Sequence, residues 1–199
     1  MTSDTQVTGR PLRADARRNR ARILEAAEVV FASRGSGAGI DEVAAEAGLG
    51  VGTLYRHFPT KEALISAILF ERVNRLIDAG EIYLEVEDPA DGLYQFLSHL
   101  VDESVAKQDL TDALAGSMPP GEFPAEMLEV VARLSDLTSR LLARAQLQGG
   151  IRDDVTTADL IAMVVGPCMA CGSPLVATPS PHKMLAVIYD GLRLGTARS

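Results

Sequence analysis

Long hydrophobic runs are missing from this chain. No apolar stretch reaches the eighteen or so residues of a membrane span, and the charged N-terminus lacks the apolar core of a secretory signal. A cytoplasmic location with no membrane partner is therefore expected. Histidine is scarce too: His57, His99 and His182 form no H-E-x-x-H pair, and neither a P-loop nor a G-x-G-x-x-G fingerprint accompanies them. No catalytic residue, cofactor or metal ligand is assigned, and no turnover is expected. Cysteine occurs twice, in Cys168-Met-Ala-Cys171. Such a pair can close a disulfide or supply two metal ligands, with His182 or Asp159 as candidates to join it. A closed zinc site wants four ligands, however, and no strand-helix redox context precedes the pair. The flanking Pro167 and Gly172 favour the irregular end of a helix with two small buried side chains. A thiol- or metal-responsive role for Cys168 and Cys171 stays open as the alternative.

Positive charge is in deficit overall, with a formal net charge of −8, which argues against a general nucleic-acid binder. The deficit is not uniform. Residues 1–75 carry eleven Lys/Arg against nine Asp/Glu, whereas the remaining 124 carry eight against eighteen. Acidic mass held away from a polyanion weakens indiscriminate binding and leaves affinity to a few placed contacts. Repeats and low-complexity tracts are absent beyond the first residues. At 47% hydrophobic the chain can bury a full core, and its 199 residues suit one small N-terminal domain and a larger helical one. Apolar residues keep helical spacing through most of the chain, so the expected fold is all-α.

The densest information lies in residues 40–64, IDEVAAEAGLGVGTLYRHFPTKEAL. Val43, Ala44 and Ala47 form one apolar stripe on a short helix. Gly48 stands where a helix ends in a left-handed residue, and Leu49 is the apolar residue that tucks back. A second short helix, about Val51–Phe58, points Leu54 and Phe58 inward and leaves Thr53, Arg56 and His57 directed away from that face. Thr60 is the expected N-cap of the next helix, with Lys61 where its first amides could share a phosphate. This is a helix-turn-helix, whose second helix enters the major groove. Arg56 and Thr53 are placed to read bases, and Tyr55, His57 and Lys61 to set register on phosphates. Upstream, Arg17, Arg18 and Arg20 belong to an arginine-rich stretch, and residues 1–18 are expected to be a flexible basic arm that orders on DNA. A helix from about Asp15 to Arg34, with Ile23, Ala27, Val30 and Phe31 as its stripe, should brace the pair.

The run G-x-x-x-G-T-L-Y-x-H-F-x-x-K-E-A-L, from Gly48 to Leu64, closely resembles the DNA-binding domain of the TetR family of bacterial transcriptional regulators. The resemblance covers about residues 19–78, with the motif at about 40–58. Two positions depart from it: the family usually has a hydroxyl residue before the first motif helix and Ser in the turn, where this chain has Gly39 and Gly50. Glycine remains an acceptable N-cap, so backbone amides at Gly39 and Gly50 are expected to serve where hydroxyls are absent. The resemblance implies an operator of double-stranded DNA, a dimer, most often a repressor, and a small-molecule effector. It further implies a linker helix joining the reader to a larger helical effector-binding and dimerisation domain, here residues 79–199.

In that second half, turn signals at Asp88-Pro89 and at Met118-Pro119-Pro120-Gly121 separate helical segments. A helix from about Asp91 carries Leu93, Phe96, Leu97 and Leu100. Another near Pro124–Gln148 repeats Met127, Val131, Leu134, Leu141 and Ala145, then stops at Gly149-Gly150. The helix after Thr156 is apolar over a broad face that includes Leu160, Ile161 and Val164, and the last helix starts at Ser180-Pro181 with Leu185, Ile188 and Leu192 in its stripe. These six are the expected homodimer contacts. The effector pocket that the resemblance implies has Phe96, His99, Met118, Phe123, Met127 and Met163 as candidate lining, since apolar walls with few polar groups suit small ligands.

Overall fold

The structure is a computed structural model that describes residues 9–106, 108–117, 124–170 and 180–194. Among these residues there are nine α-helices, one 3-10 helix and no strand, the all-α class expected. In chain order the helices are α1 (Gly9–Arg34), α2 (Ile40–Glu46), α3 (Val51–His57), α4 (Lys61–Gly80), α5 (Pro89–Val105), α6 (Gln108–Ser117), α7 (Ala125–Leu147), α8 (Thr157–Ala170) and α9 (Pro181–Leu192), with the 3-10 turn at Glu81–Glu85. The chain divides into two compact units. The first holds α1 to α3, α4 as far as Leu69, and α6 from Asp112; the second holds the rest. The division falls inside α4, earlier than the boundary expected after residue 78. Phe70, Val73, Leu76 and Ile77 of that helix already pack into the second core.

In the first unit, Ile23, Ala27 and Phe31 of α1 are buried together with Val43 and Ala44 of α2, Leu54 of α3 and Phe58. α1 is longer than its apolar stripe. Residues 9–18, expected to be a flexible arm, continue it as helix, and Ala14 to Arg18 are exposed along it. Arg and Ala are strong helix formers, and Pro11 is tolerated in a first turn.

The second unit is built around α5, which packs on α7, α8, α9 and the 3-10 turn. Asp88 starts α5 by accepting bonds from the amides of Ala90 at 2.9 Å and Asp91 at 3.3 Å, ahead of Pro89 at the first position. Leu93, Phe96, Leu97, Leu137, Leu141, Ile151 and Leu160 are essentially removed from water. Each such side chain contributes about 1.5–3 kcal/mol. The face of α7 is set differently from the sequence expectation: Val130, Leu137 and Leu141 are buried, but Val131 is 51% exposed. Thr138 is fully buried and returns its hydroxyl to the Leu134 carbonyl at 2.7 Å, which satisfies it within the helix. α8 begins with a reciprocal cap, Thr156 receiving from the Asp159 amide at 3.2 Å while the Asp159 carboxylate accepts from the Thr156 amide at 3.0 Å. The Thr156 hydroxyl also donates to the Asp159 carboxylate at 2.6 Å, and this bond first, then that from the Thr156 amide, holds the Asp159 carboxyl below its ordinary range. Ser180 caps α9. At the far end of α9 the Arg152 amide donates to the Leu192 carbonyl at 2.9 Å, within an isolated bridge between Ile151 and Arg193.

The approach of the 3-10 turn to α5 requires a glycine. A Cβ added at Gly92 would lie 2.5 Å from the Tyr83 carbonyl oxygen, a backbone atom with no rotamer to move. Alanine ordinarily gains about 1 kcal/mol over glycine inside a helix, but overpacking of this kind costs about 1–3 kcal/mol. Gly92→Ala should therefore lower stability. Urea unfolding checks it, and an unchanged or raised midpoint would show that the 3-10 turn yields without resistance.

Candidate DNA interface and effector cleft

The turn between α2 and α3 is built from hydrogen bonds that only one backbone geometry permits. Ala47 is the C-cap of α2, Gly48 takes φ +62°, and the amides of Gly48 and Leu49 return to the carbonyls of Ala45 and Ala44, each at 3.0 Å. This is the paired-bond helix stop in which the left-handed residue is almost always glycine. Leu49 is half-buried beneath it. α3 then starts at Gly50, whose carbonyl accepts from Thr53 at 2.8 Å and Leu54 at 3.2 Å. Gly39 and Gly50 are both exposed N-caps in extended backbone conformation, and neither helix has a side-chain cap. The first amides of both helices are therefore left without a hydroxyl partner from the cap residue.

α3 is anchored by Leu54, 0% exposed, and by Phe58 at its C-cap, 2% exposed. With those two inward, Tyr55 and Arg56 are exposed, and Thr53 and His57 lie half-buried on the flanks. Thr60 caps α4 through its hydroxyl, which accepts from the Ala63 amide at 3.1 Å. Lys61 at the first position of α4 lies with its ammonium 5.8 Å from the centroid of the Phe31 ring. The three upstream arginines have different surroundings. Arg17 is exposed, Arg18 is ion-paired with Asp15 on the same helix, and the Arg20 guanidinium sits 4.7 Å from the centroid of Phe58. Arg22, the last of the arginine-rich stretch, donates to the Ala47 carbonyl at 2.6 Å.

The residues expected around an effector divide. Phe96 is fully buried in the core, Met163 packs against that core, and Met127 is half-buried on α7. Met118 and Phe123 lie outside the described residues. Of the four described, His99 lines a cleft in the second unit, an open space of about 420 Å³ walled by Tyr83, Tyr94, Gln95, Ser98, His99 and Asp102. Five of these occupy one side of α5, set apart from the stripe of Leu93, Phe96, Leu97 and Leu100. That spacing was readable in the sequence, but polar residues on the outer side of a helix usually mean nothing more than solvent. His99 stands edge-on to Tyr83, ring centroids 6.4 Å apart, and its Nδ1 is buried with no hydrogen-bond partner among the described residues. Tyr94 meets Tyr189 of α9 at 4.6 Å between ring centroids, and burial raises the Tyr189 phenol above its ordinary pKa. Asp102 lies 3.1 Å from Nε2 of His182.

The residues expected at a dimer contact divide as well. Leu160, Val164, Leu185 and Leu192 are buried in the protomer's own core, where they have almost no surface to offer. Ile161 and Ile188 are partly exposed. The side of α8 and α9 turned outward carries Ala158, Ala162, Gly166, Val187 and Gly191, with Val187 at 72% exposure. Cys171 and the side chain of Cys168 lie outside the described residues. No group of three or more metal-binding side chains occurs among the described ones, and no described helix is long and apolar enough to cross a membrane.

Two short helices joined by a left-handed stop, with the second anchored by Leu54 and Phe58 and displaying Tyr55 and Arg56, define a helix-turn-helix transcriptional regulator. Residues 23–68 match the family described as bacterial regulatory proteins, tetR family, and residues 88–194 match the transcriptional regulator SbtR-like C-terminal domain. The chain belongs to the TetR family of bacterial transcriptional regulators. It is similar to a TetR transcription regulatory protein from Mycobacterium vanbaalenii, at 38% identity and a TM-score of 0.68, covering 92% of this chain and 100% of that one. A TetR transcriptional regulator from Streptomyces coelicolor is 32% identical with a TM-score of 0.65, covering 89% and 99%. Among curated proteins, the HTH-type transcriptional regulator UidR of Escherichia coli K12 is 26% identical over 149 residues, 74% of this chain and 76% of UidR.

Proposed function

We propose that this regulator is a homodimeric repressor that holds a pseudo-palindromic operator and releases it when a small molecule binds the second unit. The observation that carries the reading is the exposure of Tyr55 and Arg56 on a helix fixed from beneath by Leu54 and Phe58. Arg56 matches guanine acceptors, Thr53 matches a thymine methyl, and Tyr55, His57, Lys61 and the amides after Gly39 and Gly50 serve phosphates. Arg17 and Arg18 extend the same basic surface along α1. Selecting bound duplexes from random DNA with the purified protein should return a two-fold repeat whose half-sites lie roughly 34–36 Å apart. Arg56→Ala should then relax preference at one base position by about 1–3 kcal/mol. An even loss across all sequences would make Arg56 a phosphate contact instead.

The dimer is assigned to the outward side of α8 and α9, where Ala158, Ala162, Gly166 and Gly191 permit close approach and Ile161, Val187 and Ile188 supply apolar surface. Val187→Asp places a charge there without disturbing the buried Leu185 or Leu192. Sedimentation should show a monomer for this variant, and operator binding should weaken by about 10²–10⁴-fold as the two half-sites lose their linkage. A variant that stays dimeric would move the interface elsewhere.

The effector is assigned to the cleft beside α5, because Tyr83 and Tyr94 offer rings and Ser98, His99 and Asp102 offer polar groups within one space. α4 runs unbroken from the motif into the second core, the route by which occupancy would reach α3. By linkage, DNA should weaken effector binding by the same factor that effector weakens DNA binding. A compound found by its effect on operator release should lose that effect in His99→Ala and Tyr94→Ala, measured by DNA-binding titration. Full retention in both variants would exclude this cleft.

A further inference from the structure

Two arginines of α1 occupy places that phosphate contacts would not choose. Arg22 donates to the Ala47 carbonyl at 2.6 Å, at the end of α2. The Gly48 and Leu49 amides satisfy the two carbonyls before it in the stop, Ala45 and Ala44, and the Ala47 amide itself returns to Val43 at 2.9 Å. The carbonyl taken by Arg22 is thus one that the turn's own bonds leave over, and a cation there also meets the negative end of the helix dipole. The glycine at 48 answers to both neighbours. It has the left-handed φ, and a Cβ would stand 3.1 Å from the Arg22 Nη2. Arg20, two residues earlier, lies over the ring of Phe58, the C-cap of α3. One step beyond Arg22 the buried edge of α1 begins at Ile23, 0% exposed. One helix therefore grips the ends of both motif helices, α2 through a carbonyl and α3 through a ring.

We propose that Arg20 and Arg22 are positioning residues for operator recognition: they fix the end of α2 and the end of α3 against α1, and thereby the aim of Tyr55 and Arg56, rather than neutralising phosphates. The assignment rests on the DNA-reading role of α3 and distinguishes these two from Arg17 and Arg18. A charged group committed to a helix end and a guanidinium held over a buried ring are poor phosphate ligands, because leaving for DNA would strip the motif of its support.

The test uses the full-length protein and two probes: the duplex selected in vitro by the unaltered protein, and a random duplex of equal length. Arg22→Met, which keeps the stem but has no donor, and Phe58→Leu, which keeps both arginines but removes the ring, should each lose about tenfold in affinity for the selected duplex, the scale of a charge-assisted hydrogen bond. Affinity for the random duplex and the salt slope should hold. Arg22→Lys, still able to donate to Ala47, should recover most of the loss. Thermal melting of every variant is measured alongside, with binding read well below each transition. A phosphate role would instead lower affinity for both duplexes alike, reduce the salt slope by about 0.9 for Arg22→Met, and leave Phe58→Leu unaffected. A role confined to folding would lower the melting temperature with the ratio of selected to random affinity unchanged. Either result overturns the proposal. Failure to select any preferred duplex is a separate outcome: it would remove the DNA-reading role itself and the proposal with it.

Discussion

One left-handed residue, Gly48, is the constraint on which the DNA-reading unit depends. It lets the chain stop one helix and start the next within four residues, so that α2 and α3 share a buried side while their N-terminal caps, Gly39 and Gly50, both remain open. Any L side chain there would strain the backbone and press on Arg22 at the same time. Bond pattern, cap, turn length and the seating of Leu54 follow from that one conformation. The rest of the unit is support for it: α1 beneath, and the start of α4 pinned by Thr60.

Support and contact are divided among residues that look alike in the sequence. Arg18, Arg20 and Arg22 are three cations within five positions, yet one pairs with Asp15, one lies on Phe58 and one bonds a carbonyl. The second unit draws a similar distinction between apolar residues. On α8, Leu160 and Val164 close the protomer's own core while Ile161, next in sequence, is partly exposed. A helix advances about 100° per residue, so adjacent positions serve different neighbours.

Much of the fold was legible because capping chemistry is local. The stop at Gly48, the caps at Thr60 and Ser180, and the end of α7 at Gly149, with φ +74°, need only residues a few positions apart. What was not legible depends on partners distant in sequence. Periodicity marks a broad apolar face on α8 and a stripe on α9 without telling which side the protomer keeps for itself, and Leu160, Val164, Leu185 and Leu192, expected at a partner subunit, are buried in its own core. It likewise set Val131 inward, although Val130 takes that place. Residues 1–18 are expected to be a flexible arm because charge density says nothing about whether a helix continues through them, and 9–18 are helical. Of the cleft, only His99 was anticipated; Tyr83 comes from the 3-10 turn, whose approach rests on the absence of a side chain at Gly92.

The bridge between Ile151 and Arg193 gives α9 unequal ends. Its C-terminus is stitched to the loop after α7 by the bond from the Arg152 amide to Leu192, beside the buried Ile151, whereas its N-terminus is held from α5 by the exposed pair of His182 and Asp102. Small rotations about the anchored end would be multiplied along its length, so amides near Lys183 and Met184 should exchange with solvent sooner than those near Leu192. The outward row of Val187 and Gly191 would then travel on a lever whose fulcrum is Ile151.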